Sequence, residues 1–304
     1  MIILVSIIVG LGLFFIVGIA ARAGLQAAAP AHHKPMFRDM PLTASFGLAV
    51  ILFYVVVAIL APAIAPFGES EVLGGQYLPW GSPHYLGTDK LGRDMLTRLI
   101  YGARNTVGIA FATTALAFVV GSVLGIWAAL VGGRLDQWMS RFVDALMAIP
   151  ALIFSLLLLT IFGTSVLTLI LVIAAVDATR VYRLARSVAQ GIVVMDYIEA
   201  ARLRGEGMWR LIRREILPNA MAPLVAEFGL RFCFVFLSIS ALSFLGLGLQ
   251  PPAADWGSMV RENAVLMTYG DITPMIPAGA IALLSVSVNF VVDWKLHVAS
   301  GLRD

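Results

Sequence analysis

Seven runs of mostly apolar residues, at roughly 2–20, 43–66, 105–131, 143–162, 165–179, 222–245 and 273–294, divide the chain. About 20 such residues in a helix cross a bilayer core of roughly 30 Å, and in lipid only helices and closed barrels satisfy every backbone group. A barrel would show alternating segments of about ten residues, and these are absent. The runs therefore predict an all-α integral membrane protein. Composition agrees, since 60% of residues are hydrophobic and only 13% are charged, against about a quarter charged in a soluble domain. The fifth run is short and needs the turns on either side to complete a span. Pro150 predicts a kink in the fourth. Gly108, Gly121 and Gly125 predict close helix approach. The single cysteine, Cys233, lies in an apolar run and cannot form an internal disulfide.

Lys and Arg accumulate on the cytoplasmic side of membrane proteins. With 180–221 placed in the cytoplasm and sides alternating, that side holds Arg22, Lys34, Arg38, Arg134, Arg141, the arginines of 180–221, Lys295 and Arg303. The other side holds only Lys90, Arg93, Arg98, Arg104 and Arg261, and Arg231 falls within a run. The alternation predicts a multi-pass membrane protein with a cytoplasmic carboxyl terminus. Residues 2–20 have no basic residue ahead of the apolar stretch, unlike a cleaved signal peptide. They read as an extra helix with its amino terminus outside.

The longest charged interval is Tyr197–Asn219, YIEAARLRGEGMWRLIRREILPN. One helical stretch ends at Gly205, where a turn can be sharp, and a second closes at Pro218. A helix-turn-helix projecting from a membrane domain is shaped to be gripped by a cytoplasmic partner. Glu227 and Arg231 stand four residues apart in a run, a spacing that lets them pair. Ionisable groups at such depth are candidates for a pathway role as well as for a structural ion pair. Asp144 and Asp177 fall near run ends, where a capping or interfacial role is inexpensive. His32 and His33 sit on a polar linker and read as polar residues rather than as a metal site.

The loop resembles the coupling loop of binding-protein-dependent ABC importer permeases. Glu199, Ala200, Ala201, Gly205, Leu217 and Pro218 match that pattern, except that isoleucine stands at 216 and Glu215 takes its usual place. Leu86-Gly87-Thr88-Asp89, Gly92-Arg93-Asp94 and Tyr101-Gly102-Ala103-Arg104 resemble the signature of the dipeptide/oligopeptide/nickel branch. So do Phe244 to Gly248, Gln250-Pro251-Pro252 and Trp256-Gly257. The resemblance covers 43–304 and implies a type I importer permease fold with six core transmembrane helices. Residues 1–42 add an extra helix and a cytoplasmic linker, and the tail after 290 is longer than usual.

The resemblance further implies the partners: a second homologous permease, two ATPase subunits, a periplasmic or lipid-anchored solute-binding protein, and membrane lipid, with no nucleic acid. The chain is not expected to be an enzyme. It contains no G-x-x-x-x-G-K-[ST] phosphate loop, so ATP and Mg belong on the partner subunits and no cofactor is expected here. The transported solute is expected to be a peptide or a similar small molecule. The rival readings are a secondary transporter, which would show inverted repeats that are not evident, and a membrane scaffold, which leaves the coupling loop unexplained.

Overall fold

The computed structural model describes residues 16–24, 26–27 and 40–299; the expected 2–20 helix lies mostly outside them, and 16–24 is helical. His32 and His33 also lie outside. The described residues form helices and turns, with two isolated β-bridges. The helices are α1 (Leu42–Ile64), α2 (Met95–Gly102), α3 (Gly108–Val131), α4 (Gly133–Met147), α5 (Ala151–Phe162), α6 (Val166–Val193), α7 (Asp196–Leu203), α8 (Leu217–Phe244), α9 (Trp256–Asn263) and α10 (Met275–Ala299). A π-turn at Ala103–Val107 joins α2 to α3, and a second at Leu211–Ile216 leads into α8.

Among the described residues four helices are long and apolar enough to cross a membrane: Leu42–Ile64, Met95–Val131, Met208–Phe244 and Met275–Val298. The expected 143–162 span falls on a helix pair, α4 and α5, that is apolar enough only when taken together and is bent by 88° at the break before Ala151, where Pro150 was expected to kink it. Proline at the N-cap of α5 leaves no amide to continue α4, so the chain turns there. The expected 165–179 span continues to Val193 as the 28-residue α6, which carries Asp177, Arg180, Arg183 and Arg186. The interval 180–221 is therefore mostly helix, and only 194–207 stands between the long helices.

Two compact units divide the chain after Arg104 and after Arg261. In the unit formed by residues up to Arg104 and from Glu262, α1 packs on α10. A side chain at Gly47 would strike the Ser287 carbonyl, so these backbones approach closely only because of the glycine. Tyr54 donates to the Ala280 carbonyl at 3.3 Å. Met40, Ala44 and Trp294 form a small buried cluster that anchors the tail.

The 65–94 segment of the same unit folds around buried charge. Asp89 accepts from the Leu91 and Arg93 amides at 2.8 and 3.0 Å and from Arg93 Nε at 2.7 Å. Arg98 lies 3.3 Å from Asp89, and Arg93 donates to Glu262 at 3.3 Å. Asp94 caps α2 through the Thr97 amide at 2.7 Å and contacts His84 Nδ1 at 3.1 Å. Gly87 and Gly92 hold φ of +73° and +74° against the Leu78 and Gly74 carbonyls, where no Cβ fits. These motif residues build the loop.

In the unit Asn105–Arg261 the central contact is α3 on α6. A Cβ on Gly121 would lie 2.7 Å from both the Ala178 oxygen and Val181 Cβ, and one on Gly125 2.6 Å from the Tyr182 oxygen. The G-x-x-x-G spacing thus lets two backbones touch. Asp136 of α4 takes a bidentate pair of hydrogen bonds from Arg186 of α6 at 2.5 and 2.6 Å. α8 packs on both α3 and α6.

After α8 the chain turns through Gly246 to Asp255. Asp255 accepts from the Thr106 hydroxyl at 2.9 Å and from the Ser258 amide at 2.8 Å, which caps α9. Burial pushes its carboxyl above the usual range, against the opposing pull of the Ser258 amide and the Thr106 hydroxyl. Trp256 is fully buried and meets Phe236 edge to face at 6.2 Å.

Candidate functional site

α7 is a short helix with two unlike faces. Ile198 and Ala201 are completely buried, three residues apart on one side. They join Ile126, Leu130, Ala185, Ala189, Leu211, Ile212 and Ile216 in one cluster that spans the ends of α3, α6 and α8. Glu199, Ala200, Arg202 and Leu203 are exposed. Asp196 and Glu199 stand in the first turn and Arg202 in the last, which suits the helix dipole. Arg202 also donates to the Leu130 carbonyl at the end of α3, at 3.3 Å.

The helix stops in a Schellman motif. The Glu206 amide donates to the Ala201 carbonyl at 3.2 Å and the Gly205 amide to the Arg202 carbonyl at 2.9 Å. That closure requires a left-handed residue between them, and Gly205 sits at φ +75°. The turn expected from sequence is thus present, with its hydrogen bonds defined.

The second half of the loop explains the misplaced isoleucine. The π-turn Leu211–Ile216 holds one more residue than an α-turn would. It carries Ile216 to full burial and leaves Glu215 at the partly exposed position. Pro218 follows in the first turn of α8, where a missing amide costs little. Asn219 Nδ2 donates to the Glu215 carbonyl at 2.6 Å. Leu217 is half-buried against the same cluster.

The six sequence-derived residues therefore separate. Glu199, Ala200, Gly205 and Pro218 face outward, whereas Ala201 and Leu217 form the base. Sequence reasoning missed the outward apolar residues, Val194 and Leu203, which are 78% and 83% exposed, and Trp209 at 63%. Once Ile198 and Ala201 are known to face inward, helical spacing puts Leu203 on the open side. A groove of about 890 Å³ lies beside the turn, lined by Gly205, Gly207, Met208, Trp209, Arg210, Arg213 and Arg214.

A second constellation lies between α6 and α8. Arg231 donates from Nε to Glu227 at 2.7 Å, as the four-residue spacing predicts. Arg231 Nη1 also lies 3.7 Å from Asp177 Oδ1, and Arg180 donates to that same oxygen at 3.2 Å. Asp177 is thus a buried member of an interhelical cluster and not an interfacial cap. Its Oδ2 is buried with no hydrogen-bond partner among the described residues. The Arg231 guanidinium also lies 4.9 Å from the centre of the Phe234 ring. Asp144, by contrast, makes an exposed 3.7 Å pair with Arg183, of the kind that contributes little. Among the described residues no cluster of His, Cys, Asp or Glu could hold a metal ion.

Residues 121–298 match the family described as the binding-protein-dependent transport system inner membrane component. The chain belongs to that family. The permease is 33% identical over 265 residues to the di/tripeptide transport system permease protein DppC of Pseudomonas aeruginosa, covering 85% of each chain. It is 32% identical to the probable D,D-dipeptide transport system permease protein DdpC of Escherichia coli, covering 88% of each. In structure it resembles a chain of the MetNI methionine ABC transporter, with a TM-score of 0.54 at 18% identity, covering 69% of this chain and 98% of the other. That likeness shows the fold alone, an all-α one shared with a chain of an ABC transporter.

Proposed function

We propose that this permease forms half of the pathway of an ATP-driven importer and moves a peptide, or a similar small solute handed over by a solute-binding protein, across the inner membrane. The relatives' peptide-transport names support the substrate class. The single observation that carries the mechanism is α7, a helix whose outer face is bare and whose inner face is built into the ends of three long helices. In this reading Glu199, Ala200 and Gly205 present the surface that an ATPase subunit grips, with Leu203 beside them. Ala201 and Leu217 hold that surface against α3, α6 and α8, and Pro218 opens α8 beside them.

The complex contains a second, homologous permease and two ATPase subunits, which bind ATP and Mg and carry out hydrolysis. The carboxyl terminus and α7 lie in the cytoplasm. Residues 1–42 are an appendage to the permease core at 43–304. Glu227 and Arg231, with Asp177 and Arg180, line or border the solute's path.

Purification from membranes tests this assembly. The chain is expected to copurify with a second permease and two ATPases, and proteoliposomes are expected to take up solute only with ATP and loaded binding protein. A stable homodimer that transports without ATPases would defeat the proposal.

A further inference from the structure

The charges between α6 and α8 form a ladder of alternating sign: Arg180, Asp177, Arg231, Glu227. Its members differ in exposure. The side chains of the inner pair, Asp177 and Arg231, are 5% and 15% exposed. The ends are more open, with Arg180 at 39% and Glu227 at 22%. Among the described residues each end has one charged partner, while each inner member has two.

Depth makes this arrangement informative. Asp177 is eleven residues inside α6, about 17 Å from Val166, and Arg231 is thirteen residues inside α8, about 20 Å from Phe244. Arg231 and Glu227 thus lie within a helix apolar enough to cross a hydrocarbon layer of about 30 Å, and Asp177 packs beside Arg231. Partly exposed charge beside or within such a helix cannot face lipid without a cost of several kcal/mol. The ladder is also one donor short, because the buried Asp177 Oδ2 accepts from no described group.

From this we infer that the ladder is a transient binding station for a zwitterionic solute, taking its carboxylate at Arg180 and its ammonium at the acidic members, Asp177 and Glu227. The inference rests on the importer reading above and deepens it. A peptide with free ends carries these two charges at neutral pH, since its terminal groups titrate near roughly 3.5 and 8. The carboxylate accepts from the end that has guanidinium donors to spare. The ammonium supplies the donor that the acidic side lacks. With two cations and two anions the ladder is neutral when empty, so the station does not trap either charge alone.

The test uses the complete transporter in proteoliposomes with its binding protein, and dialanine as the probe. Arg180→Gln and Glu227→Gln are each expected to lower dialanine uptake per ATP hydrolysed by about tenfold, with the second permease and ATPases still copurifying. An unchanged ratio overturns the inference. So does loss of the second permease from either variant, which would assign the ladder's ends to a subunit contact.

A second measurement stands apart from the variants. A dipeptide bearing a photoreactive side chain is expected to label the segments around Arg180 and Glu227 in the wild type. Dialanine should compete with this labelling, and N-acetylalaninamide, which lacks both charges, should not. Equal competition by the uncharged compound overturns the inference. Failure of the wild type to show any ATP-driven uptake, with peptide-loaded binding protein present, removes the importer reading beneath it.

Discussion

Two glycines matter for different reasons, and the difference can be measured. At Gly205 nothing lies within 4 Å of the place a Cβ would take, but φ is +75°. The constraint is therefore on the backbone, and a β-branched residue there is strained by about 1–2 kcal/mol or more. Gly205→Val is expected to insert and assemble its membrane helices normally while uptake and binding-protein-stimulated ATPase activity collapse. Gly205→Asn, which tolerates the left-handed region, is expected to retain much of both. Wild-type coupling in Gly205→Val would remove this turn from the transmission path. At Gly121 the obstacle is steric, because a Cβ meets Ala178 and Val181 at 2.7 Å. Gly121→Val is expected to lower the melting temperature of the purified protein by several degrees, at a cost of about 1–3 kcal/mol or more. Gly108→Ala, where nothing lies within 4 Å, should leave it nearly unchanged.

At the scale of elements, the π-turn before α8 makes a prediction that the sequence alone would reverse. The family pattern favours isoleucine at 215, yet it is Ile216 that is fully buried. Ile216→Ala is expected to destabilise by about 2–5 kcal/mol, and Glu215→Ile to be nearly neutral, as read by thermal unfolding in detergent. A larger loss from Glu215→Ile than from Ile216→Ala would mean that the turn is not in this register. The span α1, the turn at Gly205 and the pair Glu227–Arg231 were legible from local spacing. The full length of α6 was not, because Arg180, Arg183 and Arg186 break the apolar run. The partners of the last two, Asp144 and Asp136, lie on α4, far outside any hydropathy window. Asp177 looked like the end of a span only because the run was cut at 179. Its partner Arg231 belongs to another helix.

For the whole molecule, orientation is the property most open to direct test. Ala253→Cys, in the turn after α8, is expected to react with an impermeant thiol reagent added outside intact cells. Met195→Cys, which is half exposed beside α7, is expected to react only after the inner membrane is opened. The opposite pattern would invert the topology. The burial of Ile198 and Ala201 has a mechanical consequence. A loop hung from flexible ends would absorb a push as its own bending. α7 has little such compliance: its base is close-packed, its end is locked by two hydrogen bonds, and Arg202 ties it to the last turn of α3. A displacement applied at its bare face therefore reaches three long helices together and with little loss of stroke, so that in this chain stiffness at the tip sets how much of an applied stroke reaches the bilayer.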